Sequence, residues 1–378
     1  MANKIFSADG HIDFPYLPLD IFDKYGDPDL RDRMPKAVPG DDGQLYWTLD
    51  GRALFKIGAT SMGHSFPKQG FSLRLDRINE AGFFDDAEEH VFHAAVPELR
   101  LKDQELDGLE GEVIYGVLGA DTALGDPEVT AGVYRAYNRW LADFCSEAPG
   151  RLVGLACIPN ADPETAASMV REASTLGLKG ADFHYQTAAK PAWLPMWDPL
   201  WDALQECGMP ISFHATGQRI ETNSEEYVAN QKLALSVYGV DFQMVASRTL
   251  AGALFSGMCE RFPNLQFVLG ESGVGWIPYV LERMDEAYHD RYTGLVPQLP
   301  SDYWRRQGHT TFQNESSAFR MLDILGEESI MWGADYPHMD SVWPESHKFI
   351  ERTLGHLDEG VRTRITYDNA VGLYGLGN

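Results

Sequence analysis

The chain is poor in cysteine and has no long apolar run. Its 378 residues include only four cysteines, and no two of them stand in a C-x-x-C pair. We expect these cysteines to be buried apolar residues in a reducing compartment rather than disulfides or a thiolate site. No apolar stretch approaches the ~20 residues of a membrane span, and the first residues lack an apolar signal segment. We therefore expect a cytoplasmic protein that does not enter a membrane.

Basic residues are also scarce. Lysine and arginine total 31 against 56 aspartates and glutamates, which gives a formal net charge of −25. Nucleic acids and anionic membrane surfaces are excluded as partners because both require a basic face. A small anionic substrate is compatible with this charge, since a metal ion or a few buried arginines can dominate locally. The expected partners are a small-molecule substrate and a second copy of the chain in a homodimer, with a hetero-oligomer as the alternative.

Short apolar segments alternate with helical patterns along most of the chain. Strands are predicted near residues 6, 114, 154, 182, 212, 268, 311 and 332. This alternation predicts one domain, 1–378, folded as a closed (β/α)8 barrel. Residues 14–96 form a long insertion after the first strand, expected to cover the mouth of the active site. An open doubly wound sheet is the alternative, but the chain has no GxGxxG phosphate loop.

Finer features are predicted inside this frame. Within the insertion we expect a hairpin over 45–52 and a Gly/Ser-rich loop around 63–66, and after the fifth strand a long helical region over about 225–261. Candidate groups for a substrate carboxylate are the guanidinium groups of Arg52, Arg74, Arg100 and Arg219, although their spacing favours none of them.

Polar side chains follow several of the predicted strands. They are Asp9 and His11 (first strand), His184 (fourth), His214 (fifth), Glu271 (sixth), and Asp335 with His338 (eighth). Catalytic residues of a (β/α)8 barrel lie at the carboxyl ends of its strands. Each residue alone could be a hydrogen-bonded structural histidine or a helix cap. Together, because unpartnered polar groups next to buried strands are costly, they predict one site on the barrel rim.

The pair Asp9 and His11 is the first half of a predicted metal site. Side chains alternate along a strand, so residues two apart point the same way. A carboxylate and an imidazole at one strand end are suitable ligands for a divalent transition metal.

Several segments together resemble the amidohydrolase superfamily, in the branch named after aminocarboxymuconate-semialdehyde decarboxylase. They are 8–11, 151–154, 208–214, 261–265, 270–273, 276–279 and 333–338. The resemblance implies one divalent ion, Zn, Mn or Fe, held by Asp9, His11, His214 and Asp335. It also implies that Asp335 accepts a proton from a metal-bound water.

The chain departs from that family's pattern at two strand ends. Decarboxylases of the branch usually have a histidine after the sixth strand, where this chain has Glu271; some relatives place a glutamate three residues later, where it has Val274. Binuclear members have a carboxylated lysine at the end of the fourth strand, whereas this strand ends at His184. A carbamate-bridged pair of metals is therefore not expected.

These departures favour metal-assisted hydrolysis of a small carboxylated or aromatic-derived molecule. In this hypothesis Asp335 is the base, and Glu271, His338 and His184 are the further catalytic candidates. Non-oxidative decarboxylation at the same metal is the first alternative. A second is a binuclear iron or manganese oxygenase, with the second ion at His184, Glu271 and His338. A barrel without activity inside a hetero-oligomer is the non-enzymatic alternative.

Overall fold

Eight parallel strands form the centre of the molecule. The computed structural model describes residues 4–59, 70, 72–117, 119–215 and 229–377. The strands are β1 (Phe6–Ser7), β2 (Lys36–Pro39), β3 (Leu45–Leu49), β4 (Arg52–Lys56), β5 (Gly111–Ile114), β6 (Leu152–Ile158), β7 (Gly180–Phe183), β8 (Ile211–His214), β9 (Phe267–Gly270), β10 (Gly308–Phe312) and β11 (Ile330–Trp332). The large sheet has the order β1-β5-β6-β7-β8-β9-β10-β11, so its members are the eight predicted strands in chain order.

Hydrogen bonds between the first and last of these strands close the sheet. The backbone N–H of Ala8 donates to the carbonyl of Trp332 at 2.9 Å, and that of Asp335 donates to the carbonyl of Asp9 at 2.9 Å. The predicted (β/α)8 barrel is confirmed. Its closure sets the end of β1 beside the end of β11, so the first and eighth strand ends meet at one point of the rim.

Helices surround the barrel. They are α1 (Ile21–Tyr25), α2 (Leu73–Glu80), α3 (Pro97–Asp107), α4 (Ala120–Leu124), α5 (Pro127–Ser146), α6 (Pro163–Thr175), α7 (Asp198–Cys207), α8 (Gln231–Asp241), α9 (Ala246–Phe255), α10 (Met258–Arg261), α11 (Ile277–Ala287), α12 (Pro300–Gln307), α13 (Leu322–Leu325), α14 (Ser346–Leu354), α15 (Glu359–Thr363) and α16 (Asn369–Leu373). Asp126 caps α5 by accepting from two backbone N–H groups of the first turn, and Asp162 caps α6 by accepting from one. No helix in the described ranges could cross a membrane.

The core has an inner and an outer layer. Inside the barrel, Phe6, Tyr115, Leu155 and Val268 pack together with Tyr374, which follows the last helix. Tyr374 lies against Gly180 at the start of β7, so the C-terminal segment seals the amino end of the barrel. The larger outer layer lies between the strands and the helices. The polar residues that end the strands lie at the opposite, carboxyl end of the barrel.

Two predicted segments differ in detail from the structure. The predicted hairpin is formed by β3 and β4, which turn through Asp50 and Gly51, both with positive φ, and β2 adds a third antiparallel strand. The predicted helical region 225–261 is divided into α8, a 3-10 turn, α9 and α10, and its first residues lie outside the described ranges. The loop 63–66 lies outside them as well.

A buried aspartate joins α3 to α14 and makes stability depend on pH. Asp107 accepts from the backbone N–H of Ser346 at 2.8 Å and from its hydroxyl. Burial raises the pKa of Asp107 from an ordinary 3.8 to about 7. The folded state therefore binds this proton more tightly than the unfolded chain, and the associated stability is lost as pH rises from about 4 to about 8.

Replacement of Asp107 by asparagine is expected to remove this pH dependence while keeping both contacts with Ser346. Because one pKa unit corresponds to about 1.4 kcal/mol, the variant should be the more stable protein at about pH 8 by a few kcal/mol. Urea unfolding at several pH values measures the difference. Parallel stability curves for the two proteins across this range would contradict the assignment.

Candidate metal centre

The ends of β1, β8 and β11 bring four predicted ligands to one buried point. The Nε2 atom of His11 lies 3.2 Å from Oδ1 of Asp9 and 3.1 Å from Oδ1 of Asp335. Nε2 of His214 lies 3.7 Å from Oδ1 of Asp9. All four side chains are almost fully buried. The four residues predicted as ligands are therefore neighbours in the fold.

The atoms that face this point have no hydrogen-bond partner among the described residues. They are Oδ1 of Asp9, Nε2 of His11, Nε2 of His214 and both carboxylate oxygens of Asp335. Burying such groups without partners is costly, and a divalent cation would satisfy them together. The donor set of imidazole nitrogens and carboxylate oxygens therefore fits a divalent transition metal.

Hydrogen bonds on the far side of the ligands orient them toward this point. Oδ2 of Asp9 accepts from the hydroxyl of Thr311 at 2.8 Å and from the backbone N–H of Glu271 at 3.1 Å. The Nδ1 atom of His214 lies 3.0 Å from the carbonyl oxygen of Ala215. With Nδ1–H donating there, Nε2 is left with its lone pair available for a metal, as in the usual arrangement of metal-binding histidines.

Glu271 and Asp335 stand at the site on strained backbone. Their φ angles are 46° and 59°, a left-handed conformation that few non-glycine residues adopt. Oε2 of Glu271 lies 3.5 Å from Nε2 of His214. Burial and then the charge of Asp335 raise the pKa of Glu271 well above its usual range. The strain marks both strand ends as functional candidates.

Asp9, His11, His214 and Asp335 form a cluster of candidate ligands, and the charged groups in and around this cluster act on one another. Burial opposes ionisation of Asp9, but the nearby imidazoles of His11 and His214 hold its pKa below the ordinary range. Burial opposes ionisation of Asp335 as well, and the neighbouring His338 and His11 lower its pKa. Both carboxylates are thus stabilised as anions, which is the form that binds a metal.

A second group of potential ligands overlaps the first. The ligand atoms of Asp9, His11 and His214 lie within 4.8 Å of one another, as do those of His11, Glu271, Asp335 and His338. His184 belongs to neither group, so the structure does not bring it together with Glu271 and His338, the other two residues of the predicted second ion site. Its Nδ1 lies 3.1 Å from Oδ1 of Asp121, so another part of the rim holds this ring.

His184 lies in a separate polar cluster with Asp121, Asn160 and Thr187. Asp121 also accepts from Asn160 at 2.9 Å and from Thr187 at 2.5 Å. Burial alone would lower the pKa of His184, but the bond to Asp121 and the charges of Asp121 and Asp182 raise it to about 9. His184 is therefore held in a polar cluster of its own, beside the candidate metal ligands and outside their two groups.

The four candidate arginines have different surroundings. Arg100 is fully buried and forms two bonds of 2.7 Å with Glu112, so it is not available for a substrate. Arg52 donates to the carbonyl of Ala123 at 2.7 Å. Arg219 lies outside the described ranges. Arg74, on α2, donates to the carbonyl of Asp340, and its pKa, lowered by burial, is also affected by the charges of Asp340 and Asp335. Among the three candidate arginines in the described ranges, Arg74 is thus the one placed to meet a substrate near the candidate metal ligands.

Sequence reasoning missed the polar partners of the predicted residues. Asp13 binds His338, Thr311 binds Asp9, and Asp121 binds His184. A signal existed for Asp13, which continues the spacing of Asp9 and His11 by two residues in the predicted first strand. Thr311 and Asp121 have no local signal, because only the closed barrel brings them to their partners.

A cavity of about 480 Å³ opens beside the rim of the barrel, but the candidate metal ligands do not line it. It lies between the loop after β7, including Tyr185 and Trp193, and the segment that includes Asp241 and Arg248. Its lining has no predicted ligand. The chemistry of the buried strand ends, rather than the size of this cavity, therefore identifies the site.

Comparisons with known proteins agree with the fold. A family model described as amidohydrolase matches residues 74–376. A gamma-resorcylate decarboxylase of Rhizobium radiobacter is 24% identical over 306 residues, covering 74% of this chain and 88% of the relative.

Among the solved structures similar to this chain, some cover its whole length. An amidohydrolase of Mycobacterium avium subsp. paratuberculosis K-10 has a TM-score of 0.76 at 20% identity, covering 100% of both chains. A dihydroxybenzoic acid decarboxylase of Polaromonas sp. JS666, solved with bound manganese and an inhibitor, has a TM-score of 0.65 at 19% identity, covering 100% of this chain and 98% of the other. At this identity the likeness of these structures extends to the fold.

Proposed function

Because the chain belongs to the amidohydrolase family, we propose that it is a metal-dependent carboxy-lyase that removes CO2 from an aromatic carboxylate. The observation that carries the proposal is the convergence of unpartnered buried ligand atoms from Asp9, His11, His214 and Asp335. The decarboxylase relatives support lyase chemistry over the hydrolysis that the sequence favoured.

The proposed metal ligands are Oδ1 of Asp9, Nε2 of His11, Nε2 of His214 and the carboxylate of Asp335. Manganese is the first candidate because the Polaromonas relative binds it, and two imidazoles with two carboxylates also suit iron or zinc. When bound, the ion supplies positive charge that fixes an anionic substrate and stabilises the electron density left on the ring as CO2 departs.

The carboxyl group of Glu271 is the proposed proton donor. Decarboxylation breaks the bond between the ring carbon and the carboxylate, releases CO2, and places a proton on that carbon. Glu271 faces the cluster from the end of β9, the strand end where decarboxylases of this branch usually have a histidine. A carboxyl group can fill the same role if its proton is directed at the ring carbon.

Arg74 is the proposed anchor for a negative group of the substrate. It reaches the loop after β11 from the inserted segment. A charge-assisted hydrogen bond contributes about 1.5–3 kcal/mol, so Arg74→Met should raise KM about 10- to 100-fold with a small effect on kcat. Arg77, one turn further along α2 and paired with Glu345, offers the control Arg77→Met. An unchanged KM in Arg74→Met, or an equal rise in the control, argues against this anchor.

The function is tested by product analysis. Manganese-loaded protein is incubated with a panel of hydroxylated benzoates labelled in the carboxyl carbon, and labelled CO2 is collected. We expect CO2 and the decarboxylated arene in equal amounts, with neither formed by protein stripped of metal. Failure to release CO2 from any member, together with metal-dependent cleavage of ester or amide substrates, would establish hydrolysis instead.

A further inference from the structure

Asp13 is a buried carboxylate that the proposed chemistry leaves unused. It is 3% exposed and lies two residues beyond His11. Its Oδ2 atom accepts a hydrogen bond of 2.9 Å from Nε2 of His338, a residue 325 positions away in the chain. A buried carboxylate bonded to one edge of an imidazole fixes the orientation of that ring.

The ring of His338 contacts two of the proposed metal ligands. Its Nδ1 atom lies 2.9 Å from Oδ1 of Asp335. Its face stacks on the ring of His11, with the centroids 4.0 Å apart and the planes 17° from parallel. His338 therefore supports Asp335 at its edge and His11 at its face.

Stacking also limits what His338 can ligate. A metal ion lies close to the plane of each imidazole that binds it, because the nitrogen lone pair lies in that plane. The rings of His11 and His338 are nearly parallel and 4.0 Å apart, so their in-plane lone pairs would not be directed at a common point. His338 thus cannot share an ion with His11 in this arrangement, although both are in one group of potential ligands.

We infer that Asp13 and His338 are positioning residues, which together hold Asp335 and His11 in place for a single metal ion. The inference rests on the proposed metal site but not on decarboxylation itself. It also assigns His338 a supporting role in place of the predicted catalytic one.

Metal affinity is the first test. Outer partners of metal ligands are worth about 10- to 100-fold in affinity or activity, so Asp13→Leu should raise the Kd for Mn²⁺ by that factor. Asp13→Asn, which keeps an acceptor for Nε2 of His338, should raise it less. His338→Gln should equal Asp13→Leu, and the double variant should be no worse, because the two residues act as one unit.

Matched controls separate positioning from a structural role. Asp107→Asn alters another buried aspartate, whose side chain binds Ser346 and no candidate ligand, and should leave the Kd for Mn²⁺ and the kcat unchanged. The Asp13 variants should have a weaker affinity for Mn²⁺. Assayed at saturating Mn²⁺, they should also have a lower kcat than the wild type and an unchanged KM for the substrate. If Asp13→Leu does not fold, Asp13→Asn and His338→Gln carry the same test.

Metal counting decides between the alternatives. We expect one Mn²⁺ per chain in the wild type and in every variant at saturation. Normal Mn²⁺ affinity in both Asp13→Leu and His338→Gln overturns the inference. Two ions per chain, with one lost in His338→Gln, also overturns it and makes His338 a ligand. A chain that binds Mn²⁺ as expected but releases no CO2 disproves the lyase and leaves the inference standing.

Discussion

Replacement of His214 by alanine is expected to release the metal ion and to abolish turnover. His214 has its Nδ1 committed to the carbonyl of Ala215 and presents an unpartnered Nε2 to the cluster. A bound metal contributes several kcal/mol to the transition state, so its loss should lower kcat/KM at least about a thousandfold. Metal content after dialysis and the CO2 assay measure the two effects.

A histidine at the other end of the barrel provides the control for this variant. His309, at the start of β10, lies 3.0 Å from the side chain of Gln266 and has no contact with the cluster. His309→Ala should keep the metal and its activity, whatever it does to stability. A His214→Ala protein with full metal occupancy and normal kcat/KM contradicts the ligand assignment.

Replacement of Glu112 by glutamine is expected to have the largest effect on stability. Arg100 and Glu112 are both buried beneath the strand end that has Asp9 and His11, and Arg100 also donates to the carbonyl of His11 at 2.8 Å. Removal of one partner leaves a buried charge unpaired, which costs about 3–5 kcal/mol. Glu112→Gln should lower the free energy of unfolding by that amount.

An exposed pair on α3 offers the same chemical change without burial. Glu98 and Lys102 pair at 2.8 Å in solvent, and such pairs contribute only about 0–1 kcal/mol. Glu98→Gln should therefore leave the urea midpoint nearly unchanged. Equal, small shifts for both variants would show that the Arg100–Glu112 pair does not support residues 9–11, the loop after β1. Because Gly10 lies against Glu112, the loop itself should move when the pair is broken.

The barrel, and the meeting of its candidate ligands at one point, could be predicted because buried parallel strands have a strong local pattern. Each strand is a short apolar run, and the polar residue that ends it stands out. Asp9, His11, His214 and Asp335 all follow such runs, so fold and candidate ligands could be read together. The predicted end of the insertion at residue 96 lies next to Pro97, where α3 begins, because a proline in the first turn is a strong local signal for a helix start.

Other features depended on contacts between distant parts of the chain. Arg100 could be read as a substrate anchor because nothing near it in sequence shows that Glu112 neutralises it. His184 ends its strand like a ligand, yet Asp121, 63 residues away, holds it outside the cluster. The division between α8 and α9 lies at residues 242–245, without proline or glycine, so helical periodicity continues through it.

The most direct measurement of the central claim is the decarboxylation run in D2O with manganese-loaded wild-type protein. Each product arene should carry one deuterium at the carbon that lost its carboxylate, with one CO2 released per arene and no reaction without metal. This result requires a site that both binds the carboxylate and returns a proton to the ring. Consumption of substrate with the carboxylate retained and no deuterium on the ring would contradict the account.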